Sequence, residues 1–268
     1  MTKATILIDN TSEEALLTEW GLSVFIEHNG RKILLDTGSS GKFSENASAL
    51  GISLSEVEYA VLSHAHYDHS DGFERFFELN TSAKLYLQSG TEENCYSGEG
   101  TDRHYIGIKQ GTLERFADRI EYVREHKLSE GAYLIPHRYD MEMAGRQAHM
   151  YLYKNGEWIV DCFHHEQSLV LDTEKGLVVF NSCCHGGADV IINEISEAFG
   201  REVYALVGGL HLFRSSDEKV LEMAERLKKT GIKRIYTGHC TGETAFQLLE
   251  NRLGDILKPI SSGWIIEF

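Results

Sequence analysis

The chain has 268 residues, 42% of them hydrophobic, and a formal charge of −15. That length and apolar content suit one large domain with a real core, and the negative charge disfavours a nucleic-acid backbone as the main partner. No apolar run approaches the length of a membrane span, and the first residues lack the apolar h-region of a signal peptide.

Only two prolines occur, Pro136 and Pro259, and no Pro/Ser-rich linker interrupts the chain, so residues 1–268 read as a single domain. The five cysteines, Cys95, Cys162, Cys183, Cys184 and Cys240, are odd in number and contain no CxxC pair. They fit a reducing, cytoplasmic setting better than a secreted disulfide framework.

In chain order, strands are expected over 4–9, 22–28 and 32–36, the last two joined by Asn29-Gly30, a strong hairpin signal. A short helix over 40–51 precedes an apolar strand at 59–62, and Phe73, Phe76, Phe77 and Leu79 have helical spacing. A strand follows at 83–88. Residues 90–160 are rich in Gly, Tyr and charge and lack a clean period; short strands are expected near 119–123, 131–135, 150–153 and 157–160. This stretch is expected to shape a substrate pocket. Its isolated histidines, His104, His126, His137 and His149, read as surface or hydrogen-bonded residues rather than ligands.

The second half is regular. Strands at 168–173 and 176–181 form a hairpin, 188–200 is an amphipathic helix ending on Gly200, and 202–207 is a strand. Residues 216–231 form a helix with a Ser N-cap, an acidic first turn and a basic last turn. A strand at 233–238, a helix at 241–254 and a strand at 264–268 close the chain.

The chemistry centres on residues 61–72, VLSHAHYDHSDG, where His64, His66, Asp68 and His69 follow a buried strand. His64 and His66 are two apart and share a face on extended backbone; Asp68 and His69 come after the turn and can face a second position. Such a cluster reads as a metal site, against the bland alternative of a histidine-rich surface turn.

The two halves echo each other. The run strand, helix, strand, helix, strand from 32 to 88 corresponds to the run from 176 to 240, with Asp36 matching Cys183 or its neighbour and His66 matching His211. Two such halves packed sheet against sheet give a four-layer αββα sandwich of the α/β (α+β) class, with all the strand ends at one edge. Those ends carry Asp36, the 64–69 cluster, Cys183-Cys184-His185, His211 and His239. Asp36, followed by Thr-Gly, reads as a residue that holds a turn and the ligand loop by hydrogen bonds.

With these residues in view, the sequence resembles the metallo-β-lactamase superfamily. The His-x-His-x-Asp-His run at 64–69 is its hallmark, and Asp36 in LLDTG matches its first motif. Within it the chain is similar to the branch of dihydropterin-ribofuranosylaminobenzene phosphate synthases and related metal-dependent hydrolases, through Cys183-Cys184-His185, Gly208-Gly209-Leu210-His211-Leu212 and His239-Cys240-Thr241-Gly242. The resemblance implies His64 and His66 on a first metal, Asp68 and His69 on a second, His239 completing the second and His185 supplying the remaining nitrogen. Cys183 stands where the superfamily's metal-bridging aspartate is expected, which leaves open both the number and the identity of the metals: one or two zinc ions, or manganese, iron or magnesium. His165 lies near a further ligand position of the superfamily but matches the branch less well than His185.

The implied activity is hydrolysis of a small ester, phosphoester or lactone by a metal-bound hydroxide, with Asp68 orienting it and His211 assisting at the developing oxyanion. Two alternatives stand beside it. One is a pterin-type group transfer that displaces a phosphate leaving group. The other is a non-catalytic metal-binding protein, which complete ligation without an open position would mark. The expected partner is a small molecule, not a nucleic acid or a membrane, and homo-oligomerisation is left open.

Overall fold

A computed structural model describes residues 1–137 and 149–268. In chain order the first half contains β1 (Thr2–Ile8), β2 (Ser23–His28), β3 (Arg31–Leu35), α1 (Lys42–Ala49), β4 (Tyr59–Val61), α2 (Tyr67–Ser70), α3 (Phe73–Leu79) and β5 (Lys84–Gln88). A middle stretch follows with β6 (Cys95–Glu99), β7 (Asp102–Tyr105), α4 (Thr112–Arg115), β8 (Ile120–Val123), β9 (His126–Ser129), β10 (Ala132–Pro136), β11 (Met150–Lys154) and β12 (Glu157–Val160). The second half contains β13 (Gln167–Thr173), β14 (Gly176–Phe180), α5 (Ala188–Phe199), β15 (Val203–Val207), α6 (Asp217–Lys229), β16 (Arg234–Thr237), α7 (Glu243–Leu253), β17 (Leu257–Pro259) and β18 (Ile265–Glu267).

Two seven-stranded sheets carry the fold, in the orders β18-β1-β2-β3-β4-β5-β8 and β17-β16-β15-β14-β13-β10-β9. The period-two alternation of the strands decides how they stack. On β3, Ile33 and Leu35 enter the apolar cluster between the sheets, while Leu34 enters the cluster under the first-half helices. On β14, Val178 and Phe180 face the same interior and Val179 faces outward to Ile191, Ile195 and Leu227 of α5 and α6. Three buried clusters separated by two sheets make four layers, the αββα sandwich that the repeat implies. The repeat itself is visible in the pairing: β3, β4 and β5 run parallel, as do β14, β15 and β16, each set fed by an antiparallel hairpin.

The middle stretch departs most from the sequence expectation. β6, β7, β11 and β12 form a third, four-stranded sheet. Strands β6 and β7 were not expected, because Cys95–Glu99 and Asp102–Tyr105 present no apolar alternation. Their stability rests on aromatic packing instead, with Tyr96 edge-on to Trp158 at 4.9 Å and Arg103 over the Tyr151 ring at 4.2 Å. The pocket-shaping stretch expected over 90–160 includes residues 138–148, which lie outside the described residues. No helix among the described residues is long and apolar enough to cross a membrane.

Candidate metal centre

The ends of β3, β4, β14, β15 and β16 meet at one edge of the sandwich, and every site residue named above follows one of them. The backbone there is forced. Asp36, Cys184, His211 and His239 all have positive φ, at 57°, 48°, 50° and 46°. Non-glycine residues rarely adopt that conformation, and it clusters where a site over-determines the chain. Gly208 and Gly209 deliver His211. A Cβ on Gly208 would lie 1.9 Å from the Asn181 carbonyl oxygen, and one on Gly209 2.4 Å from the Cys240 sulfur. Only glycine lets the strand end pass this close to its neighbours.

Asp36 anchors the ligand turn. Its carboxylate is fully buried and accepts from the Ser63 N–H at 2.7 Å, the Ser63 hydroxyl at 2.6 Å and the His69 Nδ1–H at 2.8 Å. Because the Ser63 hydroxyl spends its proton on Asp36, its oxygen accepts from His64 Nδ1 at 2.8 Å. One carboxylate therefore fixes the tautomers of two imidazoles, and both turn an Nε2 lone pair inward. His239 is set in the same way from another element. Asn10 donates its amide N–H to the His239 carbonyl, so its amide oxygen accepts from His239 Nδ1 at 3.2 Å.

The inward nitrogens have nothing to bind in the protein. His64 Nε2, His66 Nε2, His239 Nε2 and both nitrogens of His185 are buried without a hydrogen-bond partner. Buried polar atoms of this kind are costly, and a cluster of them suits a bound ion or water. The rings sit close together, with His64 to His66 at 4.5 Å, His64 to His185 at 4.9 Å and His66 to His185 at 5.0 Å between centroids. Burial first, and then the neighbouring imidazoles, push His64 and His185 well below their ordinary range and His66 to about 3. All three are held neutral, the state that ligates metal. Asp68 is the complementary charge. Burial would raise its pKa, but His69, His239 and His66 hold it well below the ordinary carboxylate range.

Cys183 lies between the two groups. His64, Cys183 and His185 bring their donor atoms within 4.8 Å of one another, and so do His69, Cys183 and His239. Asp68 Oδ2 lies 3.5 Å from His239 Nε2 and 3.8 Å from His69 Nε2, on the second group. The Cys183 sulfur is 3.2 Å from His69 Nε2 and 3.4 Å from the Cys240 sulfur. A third group, Cys183, His211 and Cys240, meets the same distance limit. Five imidazoles, a carboxylate and a shared sulfur fit a divalent metal of nitrogen and sulfur preference.

Two further residues hold the site without joining it. Glu166, pushed up to about 8 chiefly by burial, accepts from the His185 N–H at 3.1 Å and from the Gly186 N–H. His165 donates from Nε2 to Asp161 at 3.0 Å and accepts the Ala65 N–H on Nδ1 at 3.1 Å. Burial opposes a charge on His165 while Asp161 and Cys95 favour one, but the Ala65 N–H can approach Nδ1 only when that nitrogen bears no proton. Both nitrogens are thereby spent, which removes His165 as a ligand and makes it a brace for the 64–69 turn.

Above Cys183 opens a cavity of about 310 Å³, with His66, Asp68, His185, His211 and Cys240 on its floor and Trp20, Tyr67 and Phe213 at its rim. The third sheet closes one side through Ser97 of β6 and Met150 of β11, with Ile106 just after β7. It is tied directly to the ligand turn, since the Tyr67 N–H donates to the Ile106 carbonyl at 2.9 Å.

The sequence of residues 21–239 matches the family model of the metallo-β-lactamase superfamily. The chain belongs to the metallo-β-lactamase superfamily. The 7,8-dihydropterin-6-methyl-4-(β-D-ribofuranosyl)-aminobenzene-5′-phosphate synthase of Methanocaldococcus jannaschii is 28% identical over 94% of this chain and 90% of its own length. A crystal structure described as a metal-dependent hydrolase of the β-lactamase superfamily superposes with a TM-score of 0.86 at 28% identity, covering 100% of this chain and 99% of the other. Human tRNase Z, at 11% identity and a TM-score of 0.56 over 99% of this chain and 98% of its own, shares the fold alone. Membership in this superfamily and the His, Asp and Cys clusters together support a metal-dependent enzyme in general terms.

The sequence singled out His64, His66, Asp68, His69, His185, His211 and His239, and all of them lie at this one edge. It did not single out Ser63, Asn10 or Glu166, whose roles depend on partners distant in the chain.

Proposed function

We propose that the chain is a metal-dependent hydrolase of a small ester, phosphoester or lactone. In this reading His64, His66 and His185 hold one divalent ion and Asp68, His69 and His239 a second. Cys183, the member common to both groups, would supply a thiolate to them in place of the superfamily's bridging aspartate. The observation that carries the reading is the set of buried, partnerless imidazole nitrogens around Cys183. A thiolate among imidazoles favours zinc over manganese, iron or magnesium.

A divalent ion bound there supplies Lewis acidity and brings the pKa of a water down to about 7. The residues of the chain do the rest. Asp68, held ionised by His69, His239 and His66, orients the attacking water by accepting a hydrogen bond from it. His211, on the cavity floor, donates to the oxygen where negative charge develops. Trp20 packs 5.1 Å from His239 and 5.2 Å from Phe213, and these rings keep bulk water from the Asp68 side. Group transfer is the second reading, favoured by the synthase relative. The same Asp68 and His211 would then serve a departing phosphate.

Elemental analysis of protein purified without chelator tests the metal assignment. Two ions per chain are expected, falling to one or none in Cys183→Ala and returning toward two in Cys183→Asp. Two ions retained in Cys183→Ala would remove the bridging role. Turnover of a lactone or phosphodiester, against transfer from a dihydropterin diphosphate, separates the two reactions.

A further inference from the structure

The cavity over Cys183 continues beyond the ligand cluster. It shares Ser97, His104, His211, Phe213 and Arg214 with a second cavity of about 330 Å³, which extends to His149 and Lys219. His104 comes from β7, His149 from the residue before β11, Arg214 from the loop after β15 and Lys219 from the first turn of α6. No acid among the described residues forms an ion pair with Arg214 or Lys219. The Arg214 guanidinium lies over the Phe213 ring at 5.1 Å instead. Glu99 is the acid in the cavity lining. Burial, then the nearby His211 and Arg214, push His149 below its ordinary range against the pull of Glu99, as a locally positive field would.

Two unpaired cations and two imidazoles sharing one cavity are out of character for a chain of net charge −15. Like charges repel, and Glu99 is the one acid among the described residues of the cavity lining against them, so the grouping favours a bound anion. We propose that this second cavity is the subsite for a phosphate group, so that the substrate is a phosphate-bearing small molecule whose reacting bond lies over Cys183. The assignment of the reacting bond rests on the metal-dependent reading; the anion subsite does not. A guanidinium fork, an ammonium and two imidazoles arriving from separate elements match the spread of oxygens on a tetrahedral phosphate better than the two coplanar oxygens of a carboxylate. A polyanion would meet the negative charge of the rest of the molecule, whereas one phosphate is covered by this cluster alone.

Calorimetric titration of inorganic phosphate into the protein, with metal counted on the same sample, provides the test. In the Arg214→Gln/Lys219→Gln double variant the Kd is expected to rise about tenfold, because both groups are exposed and partly screened, while metal content stays unchanged. Equal affinity in wild type and double variant, or no binding to wild type, overturns the subsite. Succinate bound as tightly as phosphate, with the same loss in the variant, overturns the phosphate class. A tenfold loss in protein that carries no metal upholds the subsite and sinks the metal-dependent reading instead.

Discussion

Asp36→Asn is expected to lower metal affinity by about 100-fold or more, although Asp36 touches no metal-facing atom. The asparagine oxygen can still accept from the Ser63 N–H, but its NH2 group now faces the Ser63 hydroxyl and His69 Nδ1, both of which donate to the carboxylate at present. To satisfy that amide, His69 must present a bare Nδ1 and carry its proton on Nε2. The Ser63 hydroxyl must turn its proton toward His64 Nδ1, which drives the His64 proton to Nε2 as well. One isosteric change thus withdraws a lone pair from each of the two ligand groups. Loss of a single outer partner costs about 10–100-fold in metal affinity, and here two ligands are affected. Competition against a chelator of known affinity measures the change. The tautomers can be read by nitrogen NMR of the imidazoles. Wild-type affinity in Asp36→Asn would show that the carboxylate serves the turn alone.

His66→Ala is expected to cut activity by more than about 10³-fold, as removal of a group that organises transition-state charge does, and to lower the metal count. Its fold should persist, because in the metal-free protein His66 contributes an unsatisfied buried nitrogen rather than a bond. Acid stability is a second readout. His66 would titrate near 6.5 in an unfolded chain but near 3 in the fold, chiefly through burial. Between those values the unfolded chain binds a proton that the folded chain does not. The stability that His66 permits above pH 6.5 is therefore lost as pH falls toward 3. In metal-free His66→Ala this share of the acid loss disappears, so its melting temperature should fall less steeply from pH 6.5 to 4 than that of wild type. Full activity with stoichiometric metal in the variant would sink the assignment.

The legible part of this molecule is the part written locally. His64, His66, Asp68 and His69 lie within one turn, and the apolar run before them announces the strand that positions them. Ile33, Leu34 and Leu35 show both faces of a buried strand, and such runs place the central strands of the two main sheets, while the short edge strands β9 and β17 carry no such run. Asp36 was readable as a turn-holding residue because Thr-Gly follows it. The role of Cys183 was not readable, since a buried cysteine and a ligand look alike until His64, His69, His185 and His239 surround it. Strands β6 and β7 escaped because their faces are half-exposed and aromatic, so no alternation marks them. The basic cluster escaped for a different reason. His104, His149, Arg214 and Lys219 stand alone in sequence, and only the approach of the third sheet to the end of β15 brings them together.

The proposed ligands are divided between the two sheets: His64, His66, Asp68 and His69 follow the first-half strand β4, and Cys183, His185 and His239 follow strands of the second half. An ion that draws on both groups rivets one sheet to the other across the apolar interior. Metal uptake and sheet docking then become linked equilibria. At a free concentration of about 1,000 times its Kd, such an ion adds about 4 kcal/mol to the folded state, a large share of the roughly 5–15 kcal/mol that holds a typical domain together. On that assignment the supply of metal would govern the lifetime of the folded chain as well as its chemistry.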